Sequence, residues 1–314
     1  MLQQIIQSNF NNKLEKQLIK TFHSSNLPLH FNWKGNKKFT NYHRISIIIL
    51  YFRSKKSLRD FVDEDLPESK WISYLGLKKI PRKSTLHDWL KLFDLKLIRK
   101  IHQKVLPKNI KITSIDSTGF DSWQRSRHYE KRLEKIQNLK PMAYAKGSLF
   151  IDVKTLSILD FDLTLTHRHD AKIAEKIFKR NKIKNIFGLG DKAFDSEHLH
   201  EVARENGINF YAPVRKKDKK AFQNKLPKGF YRRQCKENPP DFKGQRSKNE
   251  TVNSVLKRKQ INFLRSKLSF MKKREFGWHI ILFNLKIETK TESNFQTFLF
   301  FQIRIFVFPD RAKK

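Results

Sequence analysis

Apolar residues change their spacing near residue 110, and the change divides the chain into two textures. Before it the pattern is helical. Residues 41–53 (NYHRISIIILYFR) are apolar on nearly every side and predict a buried helix. Residues 57–65 start a second, short helix that carries the acidic patch Asp63-Glu64-Asp65. Ser84, just beyond Pro81, predicts an N-cap, and Leu86, Trp89, Leu90 and Phe93 follow at i, i+3, i+4 and i+7. That spacing gives one apolar stripe and a basic outer side. Residues 1–110 therefore predict an all-helical N-terminal region, for which a helix-turn-helix is one available arrangement.

From Lys111 the pattern shortens to β-branched runs. Ile112–Ser117, Ser148–Val153 and Ser157–Leu163 predict three strands, the last two split by a turn at Lys154-Thr155. Asp170 predicts the cap of a helix running to Arg180. A fourth strand follows at 185–190, ending at Asp191, then a helix over 195–205 and a fifth strand at 209–214. Lys248 to Ile261 and residues 271–288 predict two more helices. The order predicts an α/β fold, a mixed five-stranded sheet with helices on its faces.

Composition narrows the function. The 314 residues carry 67 Lys+Arg against 30 Asp+Glu, a formal net charge of +37, with 27 Phe to anchor a core. The chain is too aromatic for disorder and too charged for a bilayer: its longest late apolar run, 297–308, is 12 residues and contains Arg304. A single cysteine, Cys235, excludes a disulfide framework or a Cys-based zinc site. The N-terminus lacks the basic-then-apolar order of a signal peptide. What remains is a soluble protein of a reducing compartment with a polyanionic partner, nucleic acid ahead of an anionic membrane surface. The charge is spread along the chain and peaks between Arg215 and Lys236, where ten basic residues face one acid, Asp218. A phosphate-contacting loop there would include Arg215, Lys216, Lys217, Lys219 and Lys220. A solvated basic surface accounts for the same density.

Two aspartates stand at strand ends, where α/β sheets collect ligands: Asp116 after the first strand and Asp191 after the fourth. Although 75 positions apart, such ends can be neighbours in a sheet, and converging carboxylates suit Mg²⁺ or Mn²⁺. Taken singly, each is equally a loop residue or a helix cap. The segment RSKNETVNSVLK adds Glu250 with Arg246 four residues before it and Lys257 seven after. On one helix these three would lie within about 40° of one another, opposite Val252, Val255 and Leu256. A routine Arg–Glu surface pair would share that spacing. His128, His167 and His169 read as hydrogen-bonding residues, Trp123 as a core or rim ring, and Cys235 as a thiol with no base beside it.

Together, Asp116 in SIDSTGF, Asp191 in GLGDKAFDS and Glu250 in RSKNETVNSVLK resemble the Asp-Asp-Glu transposases of bacterial and archaeal insertion sequences. The last segment is similar to the family's Tyr–Arg–Glu–Lys signature at Arg246, Glu250 and Lys257, with Lys243 where the tyrosine belongs. The stretches 79–93, 145–152 and 167–178 also resemble the family, so the likeness covers about residues 40–290. It implies a ribonuclease-H-like catalytic domain over 111–290 after the 1–110 region. It implies catalysis by Asp116, Asp191 and Glu250 through two Mg²⁺ (or Mn²⁺) ions. Arg246, Lys257 and the basic loop would hold double-stranded DNA, both the element's terminal inverted repeats and the target. The resemblance further implies a homodimer in the DNA complex and a cytoplasmic, nucleoid-associated place in a prokaryote. Glu250 follows Asp191 by only 59 positions, which resembles compact members without a large β-rich insertion. Residues 291–314 do not resemble the family's end and read as an added strand or an altered reading frame. Two other functions fit the same residues: an inactive DNA-binding derivative, and a related nuclease that only hydrolyses.

Overall fold

The computed structural model describes residues 13–14, 16–23, 25–31, 38–122, 141–215 and 226–307, with side chains described up to residue 288 except at 141–143. They fall into two units, one within Met1–Leu86 and Ile281–Lys314, the other His87–Ile280. In the first, the isoleucine-rich run forms α1 (Asn41–Ser54), with Ile45 and residues 47–52 buried. Thr40 caps it: its hydroxyl accepts the His43 N–H, and His43 Nδ1 accepts the Thr40 N–H in return. The acidic patch lies on a wide helical turn, Phe61–Asp65, and Lys56 pairs with Glu64 and Asp65.

Helix α2 (Lys83–Leu92) begins one residue before the expected cap. Ser84 lies inside its first turn, and the first helical bond runs from Leu86 N to Arg82 O. Leu86, Trp89, Leu90 and Phe93 are buried as their spacing predicts. A further helix, α3 (Leu95–His102), has no counterpart among the helices expected from the sequence; Asp94 caps it by accepting the Leu97 N–H.

The second unit is built on five strands: β1 (Ile112–Phe120), β2 (Pro141–Asp152), β3 (Ile158–Thr166), β4 (Ile186–Leu189) and β5 (Ile208–Tyr211). Their order is β3-β2-β1-β4-β5. β1, β2 and β3 are antiparallel neighbours, whereas β4 runs parallel to both β1 and β5. This mixed sheet with helices on its faces has the ribonuclease-H-like arrangement. Helices α4 (Asp170–Arg180) and α5 (Glu197–Glu205) bury Ile173, Ile177, Phe178, Leu199 and Val202 against Ile115, Phe150 and Phe210. His169 occupies the α4 cap position, which places Asp170 in the first turn instead. Alternation along β1 sends Ser114 and Asp116 to the other face. There lie α7 (Lys248–Val255), bonded directly to β1, and the start of α8 (Ser269–Val307), whereas α6 (Phe230–Glu237) packs against α5. Phe276 of α8 packs edge-on against Phe120 and Phe161. Gly147 is needed here, since a Cβ would stand 2.6 Å from Phe120 and 2.9 Å from Phe276.

Two expectations are corrected. β1 continues to Phe120 and β2 begins at Pro141, because the hairpin they form is longer than its β-branched core. The last helix runs to Val307, so most of the segment read as an added strand is helical.

Candidate active site

The parallel pairing of β1 with β4 ends at Ser114 opposite Leu189. Two residues further along each chain stand Asp116 and Asp191, so one register carries both acids toward the same region of the sheet. Asp116 sits mid-strand, opposite Leu149 of β2, and not at a strand end. Asp191 does lie just past its strand. It caps the short 3₁₀ turn Lys192–Phe194, its Oδ1 accepting the Ala193 N–H at 2.7 Å.

Asp116 registers the convergence electrostatically. Burial pushes its carboxyl above the ordinary aspartate range, and the charges of Asp191 and Glu250 push it the same way. A bond from the Ser117 N–H and the Arg246 guanidinium work against them. Two acids and one cation, brought from three other segments, thus act on Asp116.

Glu250 reaches the site from the first turn of α7 and is exposed. The segment does not keep one helical pitch. Arg246 belongs to a 3₁₀ stretch, Asp241–Ser247, and Lys257 to a wide π turn, Leu256–Gln260. Because residues per turn change twice, the common face inferred for Arg246, Glu250 and Lys257 does not follow from their spacing. Arg246 still lies near Asp116, while the Lys257 ammonium stands over the Phe120 ring, 5.9 Å from its centre. Lys243 is exposed, and the neighbouring Phe242 packs edge-on against Phe187.

Two residues that the motifs pass over tie α7 to β1. Asn249 Nδ2 donates to Ser114 Oγ (2.9 Å), and Asn253 Nδ2 donates to Asp116 Oδ2 (3.0 Å). Both are buried beside Val252 and Leu256, at 249, 252, 253 and 256. That is a core spacing, and asparagine on a core stripe was the available signal. Neither Oδ1 has a hydrogen-bond partner among the described residues.

A second network braces the turn after Asp191. Arg215 Nε donates to Lys192 O (2.7 Å), and the Arg215 N–H donates to Asp195 Oδ2 (2.9 Å). Arg232 grips both oxygens of Asp195 at 2.7 Å. Burial raises the Asp195 carboxyl, but these donors outweigh it and hold it below the usual range. Glu197 accepts the Tyr231 and Arg232 N–H groups, capping α6 from a neighbouring helix. So Arg232, Arg233 and Lys236 of the basic block lie on a docked helix. Lys216, Lys217, Lys219 and Lys220 fall outside the described residues, as do Trp123 and His128. Cys235 is buried 4.0 Å from His200 Nε2, and burial raises its thiol, which suits packing better than reactivity.

Carboxylate oxygens are the hard donors that Mg²⁺ and Mn²⁺ take, and the unpartnered Asn253 Oδ1 adds another oxygen beside Asp116. The donor set fits such an ion in kind. Among the described residues no three His, Cys, Asp or Glu side chains are gathered into a ready ligand cluster. Nor is any described helix long and apolar enough to cross a membrane.

The family described as Transposase DDE domain matches residues 107–285, more than half of the chain. No curated protein matches it. Among solved structures, the cryo-EM structure of a piggyBac transposase synaptic complex with hairpin DNA aligns over 89% of this chain and 72% of that one. The identity is 13% and the TM-score 0.44.

Proposed function

Because the chain belongs to the family of transposase DDE domains, we propose that it cuts DNA at the ends of the element encoding it and joins the freed 3′-hydroxyl to target DNA. The observation that carries this reading is the parallel register of β1 and β4, which brings Asp116 and Asp191 to one region of the sheet, where the charges of Glu250 and Arg246 also act on Asp116. Held by the three carboxylates, two Mg²⁺ or Mn²⁺ ions would supply activation of the attacking oxygen and charge stabilisation at the leaving one. Asn253 holds Asp116 Oδ2 and the Ala193 N–H holds Asp191 Oδ1, so both acids are oriented before DNA arrives. Arg246, which acts on Asp116, would grip a phosphate flanking the cut, and Lys257 would hold a second one. Lys216, Lys217, Lys219 and Lys220 would extend that grip along the backbone from Arg215, whose own guanidinium braces the turn after Asp191.

In the first reaction water displaces the 3′-oxygen, breaking one P–O bond and forming another. In the second the freed 3′-hydroxyl attacks a target phosphorus and displaces that strand's 3′-oxygen. The count of phosphodiester bonds is unchanged in the joining step, so no external energy source is required. The helical region 1–110 would hold the terminal repeats, and two copies would work on the paired ends.

The test is cleavage of a labelled duplex carrying the element's end, beside a gel shift on the same duplex. Asp116→Asn, Asp191→Asn and Glu250→Gln should each abolish cleavage and leave binding intact or slightly tighter, since each removes a ligand and a repulsive charge together. Wild-type cleavage in any one of them removes that residue from the site. A wild-type protein that binds without cutting would instead be an inactive derivative.

A further inference from the structure

At the outer edge of the sheet a cleft of about 750 Å³ opens between α4, the start of α8 and edge strand β3. Six cations line it and one acid, Asp162. Two of the six are already engaged. Arg99 and Arg180 both donate to the Phe161 carbonyl, and both lie in ion-pair range of Asp160 and Asp162. They form a neutralised floor that also covers an edge carbonyl of β3.

The other four are different. Arg168, Lys172, Lys176 and Lys273 have no side-chain hydrogen bond or ion pair among the described residues. Lys172 and Lys176 stand one turn apart on α4, in line with Arg180. The N-terminal end of this 11-residue helix lies at the same cleft, where the helix dipole adds positive potential; the first-turn acid Asp170 is paired with Lys146. Like charges gathered in a concave wall repel one another and focus their field outward, an arrangement that favours a polyanion.

We propose that this cleft binds the phosphodiester backbone of duplex DNA, away from the nucleotides at Asp116. β3 is two strands from β1, about 10 Å across the sheet, so a duplex engaged at the carboxylates is within reach of it. The choice of DNA as the polyanion rests on the function proposed above; the cationic cleft itself does not.

Full-length Lys172→Ala/Lys176→Ala/Lys273→Ala protein should separate the possibilities. Anisotropy of a labelled duplex is followed over a salt series without divalent metal, so that no cleavage intervenes. The slope of log affinity against log salt should fall by about 2.7, at roughly 0.9 for each phosphate no longer neutralised. Lys108→Ala/Lys111→Ala/Lys154→Ala removes the same charge from exposed positions at the other end of the hairpin and should leave the slope near wild type. An unchanged slope in the first variant, or an equal fall in both, overturns the proposal. Binding of a nucleoside triphosphate that the first variant abolishes, with the duplex slope intact, overturns it too, by assigning the cleft to a small polyphosphate. Failure of the acidic-trio test with the slope loss present would reject strand cleavage and keep the DNA site.

Discussion

Asp116 is held by a neutral neighbour as much as by charged ones. The Asn253 amide fixes one carboxylate oxygen and, from a buried position on α7, ties the strand to the helix that supplies Glu250. Asn253→Leu keeps the volume and removes the donor. Cleavage should fall by about ten- to a hundredfold, the usual cost of losing a residue that orients a metal ligand. KM for the duplex and the melting temperature should stay close to wild type, and Asn253→Ser should restore part of the rate. Wild-type turnover in Asn253→Leu would show that Asp116 is oriented without it. Resemblance picked out the acids themselves, but not their supports. An asparagine on an aliphatic stripe looks like a defect in a core pattern until the opposing strand is known to carry an aspartate.

Helix α3 docks on β3 through two side chains that meet backbone carbonyls. His102 is buried, its Nε2–H donating to Ile158 O at 2.9 Å, and Arg99 donates to Phe161 O. Burial drives the His102 imidazole down to about 4; the Ile158 carbonyl opposes the shift and the Arg99 charge adds to it. The folded value lies below the unfolded one, so the unfolded chain binds the extra proton between them. The contribution is complete above about pH 6.5 and is lost as pH falls toward 4, about 3 kcal/mol over that window. Denaturant unfolding at a series of pH values should show the loss, and His102→Gln should flatten it. The same steepness in His102→Gln would place the acid sensitivity elsewhere. Element boundaries follow similar local contacts. α2 starts at Lys83 and the segment 241–260 passes through three helical pitches, because caps and packing, not residue spacing, decide where each turn tightens or widens.

Over the whole molecule, a net charge of +37 would make phosphate contact the dominant source of affinity for the DNA proposed as its partner. Binding to any duplex should therefore weaken steeply between low and physiological salt. Replacing Lys216, Lys217, Lys219 and Lys220 with alanine together should lower the log–log slope by about 3.6, at about 0.9 for each phosphate. An unchanged slope would make that run solvated surface, and the docked Arg232 and braced Arg215 would then account for the structured part of the block. These arginines hold the turn behind Asp191, so part of the charge in the basic block is structural.

By itself the sequence determined the five strands and most of the helices after residue 110, and the buried stripe of Leu86, Trp89, Leu90 and Phe93, because burial periodicity is local; it passed over α6, which starts inside the basic block. Three short motifs taken jointly also singled out Asp116, Asp191 and Glu250 as the candidate acids. Tertiary structure alone decided that β1 lies against β4, which places Asp116 in register with Asp191 across 75 positions of chain. It decided that Asn249 and Asn253 face Ser114 and Asp116, and that Arg215 spends its guanidinium on the backbone beside Asp191. It also decided which cations of α4 find an acid and which do not: Arg180 meets Asp160 and Asp162 across a helix–strand contact, while Lys172 and Lys176 meet none among the described residues. Hydrogen bonds and ion pairs between distant segments depend on register and facing direction, which pairing and packing set only once the sheet has formed.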